Sequence, residues 1–304
     1  MQELIRYLIG IILAISSGST TQLGLVLQKI IINKYRTKEK FGRKLVKEPL
    51  WILGLFLELG VSAILLFLAI DFIGNTLTPG LMASGLIILV IFSIYILNEK
   101  LNFYEIIGVI LMVLGIILLS LSGMSIEVEN YDFLNPDFLI RLTIFTVSLS
   151  VMGIILFIIN SFIKYLTKNR TIKAIILINI AGLGFSISNF WVAIMTDFLL
   201  NKFFIFENFA ELILFIVSAI TLVVSNIVGV VGNQVGLKYG QAANIIPIQQ
   251  ISVQISPIFY YLYVFLLPIP SLISIELLII GISMIIVSTF LLGKRQEKIE
   301  EIKM

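Results

Sequence analysis

Long apolar stretches dominate the chain and are separated by short polar or basic segments. Nine candidate membrane spans follow: Leu4–Ile32, Leu50–Phe72, Leu77–Leu97, Phe103–Gly123, Phe138–Tyr165, Ile172–Met195, Phe209–Gly232, Ala242–Phe265 and Ser271–Gly293. Each is long enough for an α-helix to cross roughly 30 Å of hydrocarbon. The pattern therefore predicts an all-α fold, a polytopic membrane helix bundle of about nine transmembrane helices. It forms a single membrane domain in two halves, four helices in residues 1–124 and five in 125–304. The first run has small residues, Ser16 to Ser19, after an apolar core, as a cleaved signal would. It stays apolar through Leu23–Ile32 and its start is barely basic, so a retained helix is expected.

Two prolines reveal an internal repetition. Pro79, in Thr76-Leu77-Thr78-Pro79, opens the third span, and Pro247, in Asn244-Ile245-Ile246-Pro247, lies near the start of the eighth. Glu58 lies 21 residues before the first and Asn226 21 residues before the second, both polar and mid-span. Each proline-led span is followed by a hairpin and a helix with an acid near its start, Glu105 and Glu276. Spans two to four thus match spans seven to nine at an offset of five helices. An odd offset points the copies in opposite directions, an inverted-topology repeat of the kind many secondary transporters use.

Composition narrows the function classes. Of 304 residues, 59% are apolar and 13% charged, and the mean hydropathy is +1.09. That composition excludes a soluble enzyme, a disordered chain and a secreted disulfide scaffold. With no cysteine and no histidine, thiolate zinc sites, cysteine nucleophiles, Ser-His-Asp triads and imidazole proton relays are excluded too. G-x-x-x-x-G-K-[ST], H-E-x-x-H and G-x-S-x-G are all missing. The chain reads as no enzyme, without ATP drive, cofactor or nucleic-acid partner.

Charge placement sets a topology. The net charge is +3, from 21 basic and 18 acidic residues. One set of segments holds Lys34, Arg36, Lys38, Lys40, Arg43, Lys44, Lys47, Lys100, Lys168, Arg170, Lys173, Lys238, Lys294, Arg295, Lys298 and Lys303. The other has Arg6, Arg141 and Lys202 against Glu127, Glu129, Asp132, Asp137, Asp197 and Glu207. The positive-inside rule places the amino terminus outside and the carboxyl terminus in the cytoplasm of a cell-membrane protein. Single cysteines at Lys40 and Glu129 would then label from opposite faces. The Lys34–Lys47 segment could also lie on lipid headgroups.

Polar groups inside the spans are the candidate chemistry, because burying them costs free energy. Glu58 is about 12 Å into its span at 1.5 Å per residue and is the one acid near the middle of any span. An ionisable group there costs roughly 2.5–3.5 kcal/mol on insertion scales and faces a cavity or a partner. Two readings stand: a cation or proton site, or a structural carboxyl bonded to a neighbouring helix. Span one carries Ser16-Ser17-Gly18-Ser19-Thr20-Thr21-Gln22, in which Gln22, and beyond it Gln28, need more partners than a hydroxyl. In span eight Pro247, Gln250, Gln254 and Pro257 share one face, and in span seven Asn226, Gly229 and Asn233 do. Span six adds Gly182, Gly184, Ser186, Ser188 and Asn189. The expected substrate or ion site is a midplane cavity walled by spans one, two, six, seven and eight, lined by Glu58, Gln22, Asn189, Asn226, Asn233, Gln250 and Gln254. Glu99, Lys100 and Glu105 read as interfacial anchors and helix-start charge.

Several segments resemble the drug/metabolite transporter superfamily, of the EamA-like kind: Glu48-Pro49-Leu50-Trp51-Ile52-Leu53-Gly54, Thr78-Pro79-Gly80-Leu81-Met82-Ala83, Leu97-Asn98-Glu99-Lys100-Leu101 and Glu105-Ile106-Ile107-Gly108. Looser echoes are Gly236-Leu237-Lys238-Tyr239-Gly240-Gln241-Ala242-Ala243 and Ile246-Pro247-Ile248. The resemblance implies alternating access to a small polar or amphipathic solute, proton- or gradient-coupled, with a homodimer as the candidate assembly. Family members usually have ten helices, and the nine here resemble the magnesium-transporter branch called NIPA. That branch implies Mg²⁺ as the solute; for a cation pathway the buried Glu58 would be the metal contact. Registration on Pro79 puts Ser62 where the branch has the Glu of its Gly-Glu-x-x-Asn element, with Glu58 one turn earlier.

Overall fold

The computed structural model describes residues 2–36, 41–73, 78–124, 132–166, 170–196, 198, 205–206 and 208–303. Lys38, Lys40, Thr76, Leu77, Glu127, Glu129, Lys168, Asp197, Lys202 and Glu207 lie outside the described residues, as do the side chains of Arg295, Lys298 and Lys303.

All regular structure among the described residues is helical. The first half comprises α1 (Gln2–Tyr35), α2 (Phe41–Leu45), α3 (Pro49–Phe56), a π-helical turn (Leu57–Val61), α4 (Ser62–Ile73), α5 (Thr78–Met82), α6 (Gly85–Tyr95) and α7 (Phe103–Leu121). The second comprises α8 (Pro136–Leu166), α9 (Arg170–Thr196), α10 (Phe209–Tyr239), α11 (Ala242–Phe259), a second π-helical turn (Tyr260–Val264) and α12 (Leu272–Lys303). Helix starts follow local chemistry. Pro49 opens α3, where its missing N–H costs nothing. Asn102 and Glu105 form a capping box on α7, and the Asn208 side chain accepts from the Glu211 amide at the start of α10.

Eight helical stretches among the described residues are long and apolar enough to cross a membrane, so the chain is a multi-pass helical membrane protein. The expected eighth span, Ala242–Phe265, is helical as α11 and its π turn but is not one of these eight. Asn244, Gln249, Gln250 and Gln254 dilute its hydropathy. Eight, not nine, is therefore the number that length and apolarity give. The third span is also interrupted, since α5 ends at Met82 and α6 begins at Gly85.

Packing repeats between the halves. In the first, α1 lies against α3–α4 and against α5–α6; in the second, α9 lies against α10 and α11. Glycines mark each closest approach, as expected where lipid offers helices no hydrophobic drive to associate. A Cβ on Gly54 would lie 2.6 Å from the Gly24 carbonyl, and one on Gly184 2.8 Å from that of Ser225. Between the halves α7 packs along α12, where Cβ atoms on Gly115 and Gly281 would each come within 2.9 Å of the other's carbonyl. The long helix α8 touches α9 and the second π turn and otherwise presents apolar residues outward.

Candidate functional site

Glu58 sits in the π turn between α3 and α4, where the Ser62 amide bonds the Leu57 carbonyl and one extra residue is accommodated. The side chain is buried and does not stand alone. The Trp51 indole N–H donates to Gln234 Oε1 at 2.9 Å, the Gln234 amide donates to Gln28, and Gln28 Nε2 donates to Glu58 Oε2 at 2.5 Å. Indole can only donate, so it fixes the orientation of both amides and leaves Glu58 as the terminal acceptor. This chain ties α3 and the π turn to α1 and, across the halves, to α10. The approach of Gly24 to Gly54 makes room for it, since Gln28 lies beside Gly54 and Glu58 beside Gly24.

The same face of α1 continues with hydroxyls. Ser17 Oγ donates to the Ser62 carbonyl at 2.8 Å, and the Thr21 and Ser62 hydroxyls are bonded to each other. Ser62, the position registered with the branch's glutamate, therefore belongs to this group one turn from Glu58.

The other expected site residues divide among separate groups. Asn226 Nδ2 donates to Ser188 Oγ at 2.6 Å, and Gln254 Nε2 donates to Gln250 Oε1 at 3.2 Å. Asn189 is exposed. Asn233, 1% exposed, has neither amide atom bonded among the described residues, and the buried Gln22 Oε1 is likewise unbonded. Unpaired buried polar atoms of this kind are rare in folded proteins. The single expected lining is thus split: Glu58 is brought to Gln28, Asn226 to Ser188, and Gln250 to Gln254.

Three functional-looking residues are ones the sequence does not advertise. Gln234 and Trp51 complete the Glu58 chain. Lys29, 3% exposed, lies next to Gln28 inside the first span and donates to the carbonyls of Gly240, at 2.7 Å, and Leu237 at the end of α10. A lysine directly after Gln28 in an otherwise apolar run is its signal, but such lysines usually snorkel to the interface. Glu99 is no exposed anchor. It accepts from the Ala242 and Ala243 amides at 2.9 and 3.2 Å, at the first turn of α11. Burial pushes its carboxyl above the usual carboxylate value, against the opposing pull of the Lys29 charge and the two amides. Glu105 accepts from Asn244 Nδ2 at 2.7 Å as well as capping α7.

Among the described residues no three His, Cys, Asp or Glu side chains gather as a metal cage would require.

No protein-family model matches the chain, and no solved structure matches it. Over 202 residues it is 28% identical to a Pongo abelii protein named magnesium transporter NIPA3, and 27% identical to the Homo sapiens protein of that name. The matched region takes in 59% of this chain and 47% of each of those proteins. The chain therefore spans about half the length of the curated relatives it matches.

Proposed function

We propose that the chain is a secondary transporter that alternates access to a small cationic solute around Glu58, with Mg²⁺ as the first candidate, and that it has no enzymatic role. The observation that carries this reading is a buried carboxyl in a spanning segment, held by an amide chain that joins both halves. Likeness to proteins named magnesium transporters supports the choice of ion. Mg²⁺ dehydrates reluctantly and keeps several waters, so it needs one carboxylate and a few amide oxygens rather than a full protein cage. Glu58 and the unbonded amide oxygens of Asn233 and Gln22 are groups of that kind.

The test is uptake in proteoliposomes. Glu58→Gln is expected to lower Mg²⁺ uptake about tenfold or more at every pH, the loss expected when a charge-assisted contact goes. A variant that instead lost only its pH dependence would favour proton-coupled exchange of another solute. Unchanged uptake would make Glu58 structural and overturn the assignment.

The proposed orientation has the amino terminus outside a cell membrane and the basic end in the cytoplasm. Single cysteines at the exposed Lys47 and Asp132 are expected to react with an impermeant maleimide from opposite faces. Reaction from one face would refute the topology.

A further inference from the structure

Polar ties between the two halves cluster at one end of the bundle, the end bearing Lys34, Asn98 and Tyr239. There, three side chains of the first half grip the turn between α10 and α11. Lys29 holds the Leu237 and Gly240 carbonyls, Glu99 holds the Ala242 and Ala243 amides, and Glu105 holds Asn244. The charges match the helix ends they meet, with a cation at the negative carboxyl end of α10 and an anion at the positive amino end of α11. The apolar packing follows the same division. At this end one buried cluster draws on both halves, including Ile31, Ile32, Trp51, Leu237, Ala242 and Ile245.

Among the described residues, the polar ties at the opposite end lie within each half. Arg6 pairs with Asp71 at 3.3 Å inside the first, and Arg141 Nε donates to the Val264 carbonyl at 3.0 Å inside the second. The buried aromatic cluster there, including Phe138, Phe190, Phe198, Tyr260 and Phe265, belongs wholly to the second half.

We infer that Lys29 and Glu99 form the latch of a gate at the basic end: they clamp the α10–α11 turn onto the first half, and their release opens the solute path on that side. The inference deepens the transport reading and rests on it. A buried lysine and a buried glutamate that each bond two backbone groups of a single turn in the other half do what a latch must do. Each bond is strong while the ends are dry and is replaceable by water once they part.

The test reads the latch without relying on transport. In the cysteine-free chain, a single cysteine replaces Ile245, fully buried beneath the turn, or Ile194, fully buried at the opposite end. Purified protein is exposed to a hydrophilic maleimide, and Mg²⁺ uptake is measured in parallel. Lys29→Gln and Glu99→Gln are each expected to raise labelling of Ile245→Cys about tenfold, the change that losing one charge-assisted hydrogen bond gives. Labelling of Ile194→Cys should stay within about twofold, since no tie between the halves is found at that end among the described residues. Lys29→Arg keeps the charge and should stay protected. If one glutamine variant does not fold, the other carries the test. Unchanged labelling at position 245, or an equal rise at both positions, overturns the latch. Raised labelling at 245 alone, in a protein that moves no Mg²⁺, leaves the latch standing and removes the transport reading.

Discussion

Valine at Gly24 is expected to leave no folded protein to purify. Its Cβ would run into the Gly54 carbonyl and come within 2.9 Å of the Glu58 amide nitrogen, and both are backbone atoms that no rotamer change can move aside. Overpacking of this kind costs about 1–3 kcal/mol in soluble cores, and more where nothing can yield. In lipid the penalty bites harder, because close van der Waals contact at small residues is a main source of helix association. The same displacement pulls Gln28 away from Glu58 and so breaks the polar chain as well. Size-exclusion profiles in mild detergent should show aggregate for Gly24→Val. They should show the wild-type peak for Gly42→Val, where an added Cβ meets nothing within 4 Å. A well-behaved Gly24→Val protein would mean that the α1–α3 seam is looser than described.

Glu58 should separate stability from transport when leucine and glutamine are compared. Leucine removes the acceptor at the end of the chain, and a buried amide left without one costs about 1–3 kcal/mol. At roughly 2–4 °C per kcal/mol for a chain of 150–250 residues, the melting temperature in one detergent should fall by several degrees. Glutamine still offers a carbonyl oxygen to Gln28, so its melting temperature should stay close to that of wild type even while uptake is lost. Equal melting of the two variants would show that the terminal bond contributes nothing, and that Glu58 is held by packing alone.

Much of the bundle is legible from apolar run length, because hydrocarbon thickness dictates how long a span must be. Where apolar run length falls short, local chemistry outweighs it. The α11 stretch, expected as a span, is helical although four amides lower its apolar score. The break between Met82 and Gly85 is invisible to a window of 18 residues. The candidate site was legible in one residue, Glu58, since an acid in mid-span announces itself. Its partners were less so. Gln28 is visible as an amide, but Gln234 and Trp51 lie 206 and 23 residues away from it along the chain and join its hydrogen-bond chain only through the tertiary packing of α3 and α10 on α1. The even spacing of Gln250 and Gln254 correctly put them on one face, but periodicity does not say which neighbour that face meets. Glu99 reads as an exposed anchor, and Lys29 goes unmarked, for a related reason. Near the end of a span, charge usually reaches water, whereas here the α10–α11 turn lies over both side chains.

The donor order from Trp51 to Glu58 bears on how a proton could travel. A relay needs groups that accept a hydrogen on one side and surrender one on the other, whereas side-chain amides and an indole N–H do not give up their hydrogens near neutral pH. The run through Gln234 and Gln28 is therefore an insulator, however continuous its bonds. The hydroxyls of Ser17, Thr21 and Ser62 have no such handicap, because each can both donate and accept. If Glu58 exchanges hydrogen with bulk water, the conducting approach runs along that serine–threonine side and not through the amides.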